Sequence, residues 1–156
     1  MEEDIDSKVG GCMCGAVRYA AGGEPFWVGH CHCESCRSHT GAPVVTFVAF
    51  KKDQVAFTKG ERRIYRSSPG VERAFCGQCG TPLTWEGQSE VPERGIIVEF
   101  YISTFDDPNA FIPTNHLWYK ERIAWFDVAD DLPRYHEFDS NSEIDRRGPT
   151  RDAPPG

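Results

Sequence analysis

Between Ile96 and Ile102 apolar side chains recur at every second position: Ile96, Val98, Phe100 and Ile102 alternate with Ile97, Glu99, Tyr101 and Ser103. A period of two predicts a β-strand with one buried face. The run from Val44 to Phe50 is apolar on both faces and predicts a central strand. Val17 and Tyr19 flank Arg18, and Leu83 and Trp85 flank Thr84, which predicts two shorter strands. Arg62 to Arg66 and Glu72 to Cys76 predict two more, separated by the turn Ser67-Ser68-Pro69-Gly70. Only residues 34–40 and 104–111 leave room for a helical turn or two. The expected fold is all-β with short connections.

The composition agrees with that pattern. The chain has 156 residues, a length that fits one domain with a real core. Its 15 glycines and 11 prolines favour many turns over long helices. Residues 1–8 are polar and acidic and are expected to be a flexible N-terminus, with a folded domain over 9–138. Residues 139–156 carry almost no apolar side chains and cannot offset their own ordering entropy, so a disordered tail is expected there.

Charge narrows the partners. Lys and Arg number 17 against 24 Asp and Glu, a formal charge of −7. Phosphate contacts supply most nucleic-acid affinity, so this balance argues against a nucleic-acid partner. No apolar run approaches the ~20 residues of a membrane span, and Met1-Glu2-Glu3-Asp4-Ile5-Asp6 lacks the basic and apolar regions of a signal peptide. The expected location is cytoplasmic.

The chemistry is concentrated in cysteine. Seven cysteines fall into three clusters: Cys12-Met13-Cys14, then Cys31-His32-Cys33-Glu34-Ser35-Cys36, then Cys76-Gly77-Gln78-Cys79-Gly80. In a reducing compartment this spacing reads as metal ligands, because two thiolates on one short loop can reach Zn²⁺ at about 2.3 Å. Seven divides naturally into a closed four-thiolate site and a three-thiolate site with an open position. Spacing does not say which clusters share an ion. Cys33 and Cys36 could equally join Cys76 and Cys79 as a two-knuckle ribbon, leaving Cys12, Cys14 and Cys31.

Four runs carry a resemblance: Gly11-Cys-Met-Cys-Gly-Ala-Val-Arg-Tyr19, His30-Cys-His-Cys-Glu-Ser-Cys-Arg37, Phe75-Cys-Gly-Gln-Cys-Gly-Thr-Pro-Leu83 and Pro113-Thr-Asn-His116. With Trp125 and Leu132-Pro-Arg-Tyr135, they resemble the glutathione-dependent formaldehyde-activating enzyme / centromere protein V family, in its broad branch, over roughly residues 9–136. The resemblance implies an Mss-four-like zinc fold of small curved antiparallel sheets. It implies that Cys12, Cys14, Cys76 and Cys79 hold a structural zinc, and that Cys31, Cys33 and Cys36 hold a second zinc with an open position. It further implies a carbon–sulfur lyase that forms or cleaves S-hydroxymethylglutathione or a related thiol–aldehyde adduct, with glutathione and an aldehyde as small-molecule partners and two Zn²⁺ per chain.

An open zinc can favour the thiolate form of an incoming thiol or polarise a carbonyl. Three thiolates weaken Lewis acidity, so thiol delivery is the better reading. Glutathione brings two carboxylates and calls for cations. Arg37, directly after the three cysteines, is the first candidate anchor, ahead of Lys51, Lys52, Arg62 and Arg63. His30 and His32 read first as hydrogen-bond donors beside the thiolates or as exposed side chains, and second as ligands or a proton shuttle. His116 either lines the open site or makes a structural hydrogen bond. Trp27, Trp85, Trp118 and Trp125 read as core and groove walls, and Asp106-Asp107 and Asp130-Asp131 as turn or solvated residues. Two rival functions remain: a non-catalytic zinc module for a macromolecular partner, and a protein that captures thiols or metal without turnover.

Overall fold

The structure, a computed structural model, describes residues 8–138 and 143–145. In chain order the strands are β1 (Lys8–Gly11), β2 (Arg18–Ala21), β3 (Trp27–Cys31), β4 (Val45–Lys51), β5 (Val55–Lys59), β6 (Arg62–Ser68), β7 (Val71–Cys76), β8 (Pro82–Gln88), β9 (Ile96–Tyr101), β10 (His116–Leu117), β11 (Arg134–Tyr135) and β12 (Ile144–Asp145). Among the described residues there is one α-helix, α1, over Glu34–Thr40. The all-β expectation holds among the described residues, with open sheets and no barrel. The chain divides into two compact units. The first comprises the described residues up to Trp27 together with Phe47–Phe111, and the second comprises Val28–Thr46 and the described residues from Ile112 on.

The first unit contains a three-stranded sheet in the order β1-β2-β5 and antiparallel strands in the order β4-β9-β8-β7-β6. β9 lies between β4 and β8, so its burial is not confined to alternate positions. Ile97, Val98, Phe100 and Tyr101 are all buried, while Ile96 at the strand start is 43% exposed. The single buried face expected for this strand is thus corrected to burial on both faces. Aromatic residues fill the core. Tyr19 stacks on Phe100 with centroids 4.0 Å apart, and Phe105 meets both edge-on. The tryptophans do not share it: all four are at least partly exposed, Trp125 the most at 73%. β1 packs so closely here that a Cβ on Gly10 would lie 2.4 Å from the Thr104 carbonyl oxygen, a contact only glycine can make.

The second unit is built on strands in the order β12-β11-β10-β3. Here β3, β10 and β11 run parallel, a departure from the expected antiparallel sheets. Parallel pairing lets distant segments lie side by side: His116 pairs with His30 and Leu117 with Cys31. The Val28 carbonyl accepts from Thr114 N–H at 2.9 Å, and His32 N–H donates to the Leu117 carbonyl at 3.0 Å, which extends the pairing at both ends. Of the expected tail, residues 143–145 are described and supply β12, which pairs antiparallel with β11. Residues 1–7, 139–142 and 146–156 lie outside the described residues, and with them most of both predicted flexible ends. Among the described residues no helix is long and apolar enough to cross a membrane.

Phe100 is fully buried against Tyr19, Phe50, Phe57 and Phe105. Phe100→Ala is expected to cost about 3–5 kcal/mol of stability, measured by denaturant unfolding in zinc-saturated buffer. A loss under about 1 kcal/mol would show that this cluster does not govern the first unit.

Candidate metal centres

The three sequence clusters of cysteine come together as two groups, one in each unit. In the first, β1 runs into a turn in which Val17 N–H donates to the Cys12 Sγ at 3.2 Å. The β7–β8 connection forms a knuckle. Gln78 and Cys79 N–H groups point at the Cys76 Sγ at 3.4 and 3.5 Å, and Gly80 closes the turn at φ 77. That left-handed conformation is why glycine follows the second cysteine. The Thr81 hydroxyl lies 3.1 Å from the Cys79 Sγ and accepts from Met13 N–H, so it ties the knuckle to the Cys12 turn. The Thr81 hydroxyl and backbone hold the Cys79 thiol down to about 5.

Sulfur separations test the fit to an ion. Cys12 and Cys14 Sγ atoms are 3.6 Å apart, and Cys14 and Cys76 are 3.8 Å apart. A tetrahedron with zinc–sulfur bonds of about 2.3 Å has edges of about 3.8 Å. All four sulfurs lie within 4.8 Å of one another. The residues fit a four-thiolate zinc, with Cys12 and Cys76 buried and Cys14 and Cys79 exposed.

In the second unit Cys31 ends β3 and Cys33 caps α1, its Sγ accepting from Cys36 N–H at 3.3 Å. This is the helix-start hydrogen bond usually made by Ser or Asp, here made by sulfur. Cys36 lies one turn into the helix, and its Sγ is 3.9 Å from that of Cys31. Cys31, Cys33 and Cys36 form a second group within 4.8 Å. Cys33 and Cys36 thus group with Cys31, a cysteine that the two-knuckle ribbon would leave over. Hydrogen bonds with Cys33 and Cys36, reinforced by burial, push the Cys31 thiol well above its ordinary value. Three sulfurs so placed ionise together only beside a cation, and that chemistry also fits a metal.

Around this loop lies a polar network that sequence reasoning did not assemble. His32 Nε2 lies 2.8 Å from His116 Nδ1, and His116 Nε2 lies 3.1 and 3.2 Å from the two Asp130 oxygens. Arg134 pairs with both Asp130 and Asp127 at 3.1 Å, and the Tyr119 hydroxyl donates to Asp127 at 2.7 Å. His32, His116 and Arg134 are almost wholly buried. Burial pushes His30 down to about 4 and His32 to about 3, helped in each case by His116. Against burial, hydrogen bonds from His116 and Leu132 hold Asp130 below its ordinary value. Asp130 is therefore a structural partner rather than the solvated turn residue expected. His116 makes the structural hydrogen bonds that were one of its two readings. Arg37, the expected anchor, donates from Nε to the His32 carbonyl at 3.0 Å and from Nη2 to the Glu121 carbonyl at 2.9 Å, clamping the cysteine loop. Of the weaker anchors, Arg62 pairs with the buried Glu86.

The sequence profile of the glutathione-dependent formaldehyde-activating enzymes matches residues 7–121, both cysteine groups included. The chain belongs to this family. The family is zinc-binding in general, and both cysteine clusters here can bind metal. An uncharacterised lyase of Schizosaccharomyces pombe is 36% identical over 74 residues, which are 47% of this chain and 53% of that protein; the match spans about half the length of this relative. A crystal structure of a Rhodobacter sphaeroides protein superimposes with a TM-score of 0.51 at 20% identity, covering 67% of this chain and 97% of that one. That likeness shows the fold. The family match ends before Asp127, Asp130 and Arg134, so the acidic side of the network lies beyond it.

With zinc in the four-cysteine group, metal binding is folding free energy. Cys76→Ser is then expected to unfold the first unit or remove most of its stability, while Cys36→Ser leaves a folded protein holding one ion fewer. Circular dichroism with metal analysis checks both, and identical behaviour of the two variants would break this division of the cysteines.

Proposed function

We propose that the chain is a zinc-dependent carbon–sulfur lyase of the cytoplasm, folded over residues 9–138, that forms or cleaves S-hydroxymethylglutathione or a closely related thiol–aldehyde adduct. The observation that carries this reading is the division of seven thiols into a group of four and a group of three, because four ligands close a tetrahedral ion and three leave a position for substrate. In this reading Cys12, Cys14, Cys76 and Cys79 hold the structural zinc, and Cys31, Cys33 and Cys36 hold the second.

A zinc bound by three thiolates supplies one thing here: it favours ionisation of a fourth, incoming thiol. In the forward direction the substrate sulfur attacks the aldehyde carbon and a carbon–sulfur bond forms. The carbonyl π bond breaks, and its oxygen takes up one proton, replacing the one lost from the thiol. Cleavage is the reverse. The chain's own residues keep the site in place. Cys36 N–H and the Cys33 Sγ fix the helix start, and Arg37 clamps the loop through two carbonyls. Arg37 then acts through the loop geometry and not as a free cation for a substrate carboxylate.

Exchange NMR of ¹³C-formaldehyde with glutathione tests the proposal, comparing zinc-loaded protein with Cys36→Ser. Adduct exchange faster than the spontaneous rate, and lost in the variant, is the expected result. Exchange at the spontaneous rate with both proteins would remove thiol–aldehyde chemistry and leave a zinc protein without this turnover.

A further inference from the structure

Beside the cysteine loop, a second set of donors converges without any sulfur. His30 comes from β3, His116 from β10, and Asp130 from the segment ahead of β11, and one ligand atom of each lies within 4.8 Å of the others. Parallel register sets His30 and His116 abreast, with ring centroids 4.6 Å apart and planes inclined by 32°. Side chains alternate across a strand, so His30 and Cys31 leave β3 on opposite faces. The imidazoles therefore form a group of their own. We propose that His30, His116 and Asp130 are a third cation site, taking a divalent first-row transition-metal ion through two imidazole nitrogens and one carboxylate.

The support is in what holds each donor. Histidines that bind metal through one nitrogen are oriented by a hydrogen bond at the other. His30 Nδ1 is 2.8 Å from the Thr46 hydroxyl, which can accept its proton and leave Nε2 bare. His116 Nδ1 is 2.8 Å from His32 Nε2. Asp130 is steadied by Leu132 N–H at 3.0 Å and by Arg134 at 3.1 Å. His116 Nε2 and the Asp130 oxygens are already 3.1–3.2 Å apart. Neighbouring ligands on an ion with bonds of about 2.1 Å lie about 3.0 Å apart in an octahedron and about 3.4 Å apart in a tetrahedron, and this pair falls between the two. His30 and Asp130 are half-buried rather than sealed, which gives an ion a way in.

The bonding also says what the ion must displace. An ionised carboxylate only accepts, so in the absence of metal His116 presents Nε2–H to Asp130. A neutral His116 then accepts at Nδ1 from His32 Nε2–H, which leaves His32 Nδ1 bare; this buried atom has no partner among the described residues. An ion at His116 Nε2 takes the place of the proton shared with Asp130, and His116 moves to its Nδ1–H form and donates to His32. That exchange makes the buried His32 Nδ1 an unpaired donor, and Arg134 already competes for Asp130. Both effects rank this site below the thiolate groups in affinity. Nitrogen and carboxylate ligands also set its preference apart: Co²⁺, Ni²⁺ or Fe²⁺ suits it, while the thiolates favour zinc.

Cobalt is the probe that separates the sites. Untagged full-length protein is loaded with zinc, freed of excess metal and titrated with Co²⁺. One further equivalent is expected, with weak d–d absorption and no thiolate-to-cobalt charge-transfer band. Under the same conditions with diamagnetic Zn²⁺ in excess, the His116 Nε2 ¹⁵N resonance should move from the protonated to the metal-bound range. His30→Gln keeps an amide for Thr46 and leaves the His32–His116–Asp130 chain untouched; it should lose the further equivalent and keep the zinc already held. No further equivalent, or one that survives in His30→Gln, would overturn the site. So would a cobalt signal that carries the charge-transfer band. Should His30→Gln fail to fold, the His116 ¹⁵N shift in the unaltered protein decides alone, and an unmoved resonance rejects the proposal.

Discussion

Sulfur atoms 3.6–3.9 Å apart are close neighbours for groups that must lose protons to act as ligands. Their mutual repulsion as thiolates would drive them apart unless a cation sits among them. Both loops are shaped for that condition. Backbone N–H groups of Val17, Cys36, Gln78 and Cys79 are aimed at sulfur, and the turns that aim them are set by glycine and by the start of α1. Strands β1, β7 and β3 end where these loops begin, so the sheets act as mounts for the sulfur groups.

The two groups differ in how they are assembled. The group of four draws on two hairpin-like segments that the first unit's aromatic core holds in place, with Tyr19 and Phe100 at its centre. The group of three lies within six residues of chain, so its shape is nearly local. What that short loop lacks in cross-chain ligands is supplied by clamps. Arg37 reaches two carbonyls, and the His32–His116–Asp130–Arg134–Asp127–Tyr119 chain runs from the loop into the rest of the second unit. Such a division suits one rigid ion and one whose surroundings decide its chemistry.

Much of this was legible in the sequence, for a physical reason. Strand periodicity, knuckle spacing and helix starts are local, so β4, β8, β9, α1 and the three cysteine clusters were visible directly. Burial on both faces of β9 was not, because alternation cannot say that a strand lies between two others. The pairing of β3 with β10 joins residues far apart through strands too short for any period. Asp130 and Arg134 were hidden likewise. In Asp130-Asp131-Leu132-Pro133-Arg134 each looks like turn chemistry, and only the fold brings them to His116. Which thiols lie together was open by counting alone, and the sulfur groupings supply it: Cys12, Cys14, Cys76 and Cys79 in one group, Cys31, Cys33 and Cys36 in the other.

The discontinuity of the second unit bears on how the protein is made. His30 pairs with His116, so 116 − 30 = 86 further residues must be synthesised before β3 can meet β10. At roughly 5–20 residues per second the ribosome needs about 4–17 s for that stretch. Throughout that interval Cys31, Cys33 and Cys36 have left the ribosome ahead of β10, which anchors His32 and hence the loop between them. Cys31, Cys33 and Cys36 thus wait as thiols in the nascent chain for the strand that anchors their loop, open meanwhile to oxidants and to any metal at hand.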